Sequence, residues 1–510
     1  MKPLLSRALA ALLLVLSASP VQAAGADAPR CRYVNVAKLP LQYTGPGLAL
    51  TTTGVINGTP ALMLVDTGAS DTWLTRTGTE RRGMRLSNLG RVARGIGGMS
   101  SIYQTRIKEF VAGPARSERG HMRVLSDFGH PPSYDAILGA PFLLQTDLEL
   151  SLASKELKFF QPVDCADQFL AYWDADALVI PFESNYGDSS PNPRFTVLVN
   201  GQKMRAIIDS GASSTVIALE AAKRAGLKLD AAGVKRRGHA VGVGDEKVAY
   251  WHAVFKSVQI GEETIENAEL DVLERLEGID VLLGADFLRA HRVLFAMSQR
   301  KIYFSYVGGH PFGQRRKLEP WLQAEADAGN GDAQMALARM YRHGDPVRRD
   351  DAAAAAWLEK AALNGNPDAT LYSGHALLRE GRAQEAAPRL RLALDKLPSD
   401  RDAALWLYLA RLRTGQAELG RSELTTAFAR GEDDEWPAPI ADFYLGKLTA
   451  PELLKQAERD RELGARRSCN AIQAMMALYE AQDDSAQAQA LAASRKEQCA
   501  RAEAADQDDD

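Results

Sequence analysis

The 510-residue sequence predicts two matched all-β lobes related by an approximate two-fold axis, followed by an all-α helical-repeat domain. Three observations carry this expectation. The stretch Leu64-Val65-Asp66-Thr67-Gly68-Ala69-Ser70 recurs as Ile207-Ile208-Asp209-Ser210-Gly211-Ala212-Ser213. The landmarks around the two copies recur in the same order, as in a duplicated domain. After Pro311 alanine becomes abundant, apolar residues take helical spacing and β-branched residues thin out.

Residues 1–23 read as a signal peptide: Lys2 and Arg7, an apolar run from Ala8 to Leu16, a break at Pro20 and a small-residue cleavage site ending at Ala23. The apolar run is too short to span a bilayer, and no later run is long enough, so no membrane span is expected after signal removal. The protein is therefore expected to be exported, to a periplasm or beyond. Residues 24–44 form a poorly patterned lead-in. Lobe 1 is expected over residues 45–162, a linker over 163–178 and lobe 2 over 179–308. Their segments are short, β-rich and punctuated by glycine, as in small barrels.

Within each lobe the order of landmarks is the same. Asn57-Gly58 and Asn200-Gly201 lie at one offset before the Asp turn and read as hairpin turns feeding it. Gly95-Ile96-Gly97 and Gly242-Val243-Gly244 follow, and then Asp135-Ala136-Ile137-Leu138-Gly139 and Asp280-Val281-Leu282-Leu283-Gly284. The apolar run before each Asp reads as a buried strand. The glycine after it is read as permitting a sharp turn. Two buried carboxylates, one per copy, suggest a pair, because a lone one is costly. Glu149–Leu152 with Glu156–Phe160, and Arg292–Phe295 with Lys301–Phe304, read as closing hairpins of the two lobes.

These motifs resemble the retropepsin-like aspartic proteases, over roughly residues 45–306. The resemblance implies that Asp66 and Asp209 are the catalytic carboxylates. Thr67, Gly68, Ser210 and Gly211 would form the supporting turns, with the two hydroxyls bonding to backbone across the axis. Ile137, Leu138 and Gly139, and Leu282, Leu283 and Gly284, would brace those turns from a crossing strand. Gly95, Gly97, Gly242 and Gly244 would belong to flaps over a protein or peptide substrate. Neither glycine pair opens a helix, so a phosphate loop is not expected. Whether the lobes pair within one chain or between chains stays open.

Residues 309–500 carry a repeat near the tetratricopeptide period of about 34 residues, seen in Gly381 with Gly415 and Ala369 with Ala403. The region resembles tetratricopeptide and related short helical repeats, whose concave face takes protein partners. Residues 501–510 form an acidic tail expected to be disordered.

Composition excludes several classes. The chain is 46% hydrophobic and 25% charged, with a net charge of −4, which offers no basic field for nucleic acid. Arg76, Arg81, Arg82 and Arg85 are read as a solvated basic face. The eight histidines are scattered and the cysteines lack zinc spacing, so no metal and no cofactor are expected. Export allows disulfides, and proximity favours Cys31 with Cys165 and Cys469 with Cys499 among three possible connectivities. The function expected is aspartic-type endopeptidase action, a water activated by an Asp66/Asp209 dyad, with the helical arm recruiting protein. A non-catalytic peptide-binding scaffold of the same fold is the rival. A third reading makes the repeats the main functional part.

Overall fold

The computed structural model describes residues 31–126, 132–183, 191–240, 242–244, 246–312, 317–397, 400–429, 436–459 and 463–508. Residues 1–23, read above as a signal peptide, lie outside the described residues.

Each lobe is a closed barrel. In lobe 1 the strands Ala49–Ile56 and Thr59–Val65 form a hairpin across Asn57-Gly58. Both turn residues have positive φ, 53° and 81°, the two-residue turn that matches strand twist. Asn200-Gly201 repeats it at 49° and 78° in lobe 2. The asparagine side chains do a second job: Asn57 Oδ1 accepts from Lys108 N, and Asn200 Oδ1 from Ser257 N. Those bonds join each hairpin to the long strand that closes its barrel, through Val55↔Val111 in lobe 1 and Val197↔Ile260 in lobe 2. Closure leaves these strands no free edge.

A six-stranded sheet joins the lobes. Its order runs Arg32–Pro40, Glu156–Val163, Asp147–Ser151, His291–Ala296, Lys301–Tyr306 and Leu178–Pro181. The two expected closing hairpins are therefore one sheet, joined at Leu148↔Phe295 and Leu150↔Val293. All of Asp147–Ser151 is buried. The lead-in is corrected too. Residues 32–40 are the edge strand of this sheet, and 42–44 pair with lobe 1. Their pattern is weak because an edge strand here leaves most side chains in solvent. Cys31 and Cys165 are bonded at the end of that strand, with Cα atoms 4.6 Å apart.

Two carboxylates inside the sheet are fully satisfied. Glu149 accepts from Tyr172 Oη at 2.7 Å, from Lys158 Nζ at 3.2 Å and from Arg292 Nη2 at 2.8 Å. Asp147 accepts from Tyr33, from Ser298 N and from Ser298 Oγ.

The helical arm begins at Pro320–Asp327 and stacks antiparallel helices through Ala492–Asp508. Its period is explained by recurring caps. Asn366 and Asp400 accept from Ala369 N and Ala403 N at helix starts. Gly381 and Gly415 take φ of 79° and 73° just past the helix ends, where a left-handed residue stops a helix without strain. Ala369 and Ala403 are completely buried between helices. Cys469 and Cys499 are bonded between the last long helices. Residues 501–508 of the acidic tail continue the final helix, which corrects the expected disorder there, since their alanines favour that state. The arm is docked on the lobes. The Trp321 ring lies 4.9 Å from Tyr43 and under Arg289 at 4.2 Å, while Gly45 N donates to Asp332 Oδ2 at 2.7 Å.

Among the described residues no helix is long and apolar enough to cross a membrane. Arg292→Ala removes both guanidinium bonds to Oε1 of the buried Glu149 and leaves Lys158 as its remaining cation. It should destabilise the protein by about 3 kcal/mol, read as a lowered urea midpoint.

Candidate active site

The Asp66 and Asp209 strands each run parallel to a short crossing strand. Leu64↔Ile137 and Val65↔Leu138 pair in lobe 1, and Ile207↔Leu282 and Ile208↔Leu283 in lobe 2. The crossing strand then holds the turn itself. Asp66 N donates to Leu138 O at 3.1 Å, and Asp209 N to Leu283 O at 2.9 Å. Beyond it, Ala140 N bonds Ala69 O, and Ala285 N bonds Ala212 O. Glycine is required at 139 and 284 by close backbone approach. A Cβ on Gly139 would sit 2.1 Å from Asp71 O, and one on Gly284 2.5 Å from Ser214 O.

The two turns are locked to each other. Thr67 Oγ1 donates to Ile208 O at 2.8 Å and accepts from Ser210 N at 3.1 Å. Ser210 Oγ donates to Val65 O at 2.7 Å and accepts from Thr67 N at 3.1 Å. Both hydroxyl residues are buried. This lock brings the carboxyls of Asp66 and Asp209 into mutual hydrogen-bond contact within one chain. Gly68 and Gly211 do not have positive φ, so backbone conformation alone does not require glycine there. Their need is space. A Cβ on Gly68 would lie 2.3 Å from Asp209 Oδ2, and one on Gly211 2.4 Å from Asp66 Cγ.

Burial, and then the Asp209 charge, push the Asp66 carboxyl well above the usual carboxylate range. Asp209 is also raised by burial, against the opposing pull of the Gly211 N–H and of its bond to Asp66. Two carboxyls in contact share a proton and titrate as a pair.

The glycine hairpin tips of the two lobes, read above as flaps, meet each other. Gly97 N donates to Val243 O at 2.9 Å, and Glu246 N to Gly97 O at 2.7 Å. A Cβ on Gly97 would lie 2.6 Å from Gly244 O, so the tips approach backbone to backbone. They also cross over. Ile96 of lobe 1 packs against the lobe 2 cluster of Val216, Val248, Leu273 and Leu282. Val243 of lobe 2 packs against the lobe 1 cluster of Leu64, Trp73, Ile102, Leu125 and Ile137. A Cβ on Gly242 would make only an ordinary contact with Ile96, at 3.4 Å, so that glycine is not sterically required.

Residues 52–142 and 195–287 each match the aspartyl protease family model. Both β lobes are therefore similar to the aspartyl protease domain. Residues 331–366 of the arm match the Sel1 repeat, a relative of the expected tetratricopeptide type. No curated protein matches the chain. Among solved structures it is similar to the aspartic proteinase from Irpex lacteus, at 16% identity and a TM-score of 0.35, over 54% of this chain and 97% of that one.

Three features of these lobes lay beyond sequence reasoning. Asn192 donates through Nδ2 to Thr67 O at 2.6 Å and to Ile208 O at 3.2 Å, supporting the lock from below. Its flanking prolines, Pro191 and Pro193, were the available signal. Tyr134 stands near Asp66, and burial and then the Asp66 charge hold its phenol protonated far above the usual range. Its lobe 2 counterpart is Ile279, so the duplication hid it. The basic face is corrected as well. Arg81 and Arg82 pair with the buried Asp135 at 2.9 and 2.8 Å, as Arg224 pairs with Asp280. Both aspartates also accept a strand N–H, from Leu62 and Arg205, so their recurrence is structural. No group of His, Cys, Asp or Glu among the described residues is arranged to hold a metal ion.

The raised pair has a stability consequence. A carboxyl raised in the folded state binds its proton more tightly there than in the unfolded chain. Its contribution is present below the unfolded value, near pH 4, and is lost as pH rises through the folded value. Asp66→Asn removes that loss. The Tm of Asp66→Asn should therefore exceed that of the parent by a margin that widens from about pH 4 towards 7, measured by calorimetry across pH.

Proposed function

We propose that the protein is an aspartic endopeptidase whose dyad is Asp66 and Asp209 of one chain. The observation that carries this reading is the contact of the two carboxyls, with the glycine hairpin tips of the two lobes bonded to each other. One carboxylate takes a proton from a water lodged between the pair, and that water attacks the scissile carbonyl. The protonated partner hydrogen-bonds the carbonyl oxygen and stabilises the charge that develops there. The tetrahedral intermediate then collapses as a proton passes to the leaving nitrogen, the C–N bond breaks, and the pair returns to one shared proton. No cofactor enters. We also propose that the protein is exported, supported by residues 1–23 and the two disulfides. The Sel1-type arm, docked beside lobe 1, is proposed to recruit protein.

Asp66→Asn and Asp209→Asn are nearly isosteric and should each abolish peptide hydrolysis while the fold persists, read by circular dichroism. An equimolar mixture of the two should stay inactive, because every molecule holds one broken dyad. Full activity in both variants would leave a peptide-binding scaffold in place of an enzyme.

Alanine follows the glycine in both turns, at Ala69 and Ala212. Each contributes its backbone N–H to the neighbouring carboxyl, but has no hydroxyl to add. Serine at both places would supply a further donor to the ionised form and lower the pair's range. The Ala69→Ser/Ala212→Ser variant should therefore shift its pH–activity profile towards acid, and an unchanged profile would remove this account of the turn.

A further inference from the structure

The lobes are copies, so matching rows of their flap-bearing sheets compare directly. In lobe 1 Ile102 pairs with Leu125, and in lobe 2 Tyr250 pairs with Leu273. Both rows lie in the clusters capped by the exchanged flap tips. Side chains alternate along a strand, so the next rows on this face are two residues, or about 7 Å, further out. They are Gln104 with Arg123 in lobe 1 and His252 with Asp271 in lobe 2. The rows after those are Arg106 with His121, and Val254 with Glu269. Arg123 and Asp271 thus hold matching positions with opposite charge, and the row beyond them holds Arg106 in lobe 1 and Glu269 in lobe 2.

Local packing fixes each set. Arg123 lies over the Trp73 ring at 5.6 Å and pairs with Asp71 at 2.7 Å, yet its side chain is 57% exposed. Trp73 belongs to the cluster that Val243 caps, so Arg123 stands at the cleft wall. Arg106 is exposed and has no ion pair among the described residues. In lobe 2 Ser214, the counterpart of Asp71, donates to Asp271 Oδ2 at 3.0 Å. His252 sits between the two acids, 3.3 Å from Glu269 Oε2 and 3.5 Å from Asp271 Oδ1. Lys235, opposite His252, adds a cation at the outer edge.

We propose that these faces are outer subsites of opposite charge, which set the direction of a bound peptide. The lobe 1 side takes an acidic side chain at Arg123 and Arg106, and the lobe 2 side takes a basic one at the half-buried Glu269, behind which Asp271 is buried and bonded to Ser214. The proposal rests on the reading of the cleft as a peptide site. A two-fold cleft accepts an extended peptide equally well in either direction. Opposed charges at its ends remove that degeneracy and reject like-charged peptides.

The test uses full-length Asp66→Asn protein and four fluorescent peptides with one shared apolar centre. Their flanks are acidic then basic, basic then acidic, acidic at both ends, and basic at both ends. By fluorescence anisotropy, one mixed order should bind about tenfold tighter than either like-charged peptide, the size of one charge-assisted contact. Adding Arg106→Gln and Arg123→Gln should erase the advantage over the all-basic peptide, and adding Glu269→Gln the advantage over the all-acidic one. Adding Lys256→Gln, an exposed charge outside these rows, should leave the pattern in place. Equal binding of mixed and like-charged peptides overturns the proposal but leaves peptide binding standing. So does a pattern that survives the arginine substitutions. Failure of every peptide to bind removes both this proposal and the function on which it rests.

Discussion

The exchange of hydrogen bonds between Thr67 and Ser210 is the constraint around which the β half is built. Each hydroxyl donates to the backbone of the other lobe's Asp strand and accepts an N–H from the other turn. Both are buried, so each bond replaces an otherwise unsatisfied polar group, and breaking one leaves its partners orphaned. The lock holds only if the turns touch. That explains glycine at 68 and 211, where a Cβ would enter the opposite carboxyl.

Forcing two carboxyls together is unfavourable, and the surrounding structure absorbs the cost. The crossing strands hold each turn through Leu138 O and Leu283 O, and Asn192 supports the lock from a third segment. The six-stranded sheet ties the lobes together away from the dyad, with its acids fully bonded. Strain concentrated at a site persists when its surroundings over-determine it, and this dyad is held from at least three directions. The same constraint supplies the chemistry proposed for it: a pair that retains one proton can present an acid and a base to one substrate.

Duplication also separates what the fold needs from what has diverged. The Asn-Gly turns, the crossing-strand glycines and the aspartates at 135 and 280 do the same work in both lobes. The outer sheet faces do not. Arg123 and Asp271 occupy one register position with opposite charge, and Tyr134 has Ile279 as its counterpart. Neither difference disturbs a barrel core.

The sequence by itself determined the duplication, the two Asp turns, the hairpins that feed them and the helical arm. These depend on short-range signals: a period of two or 3.6, a turn that needs positive φ, a cap three residues from its donor. Tertiary structure decided what depends on distant segments meeting. Residues 32–40 carry no usable alternation, because their strand is ordered by its partner at 156–163 and not by its own pattern. The closing hairpins gave no sign that they would merge across lobes, since Leu148 and Phe295 are equally apolar in one sheet or in two. The crossover of Ile96 and Val243 was equally hidden, because a Gly-rich tip reads as a turn whatever it touches. The glycine of each Asp turn was legible as a residue but not in its reason. Its need for space arises from the other lobe's carboxyl, more than a hundred residues away in the chain and in contact only once both barrels have closed.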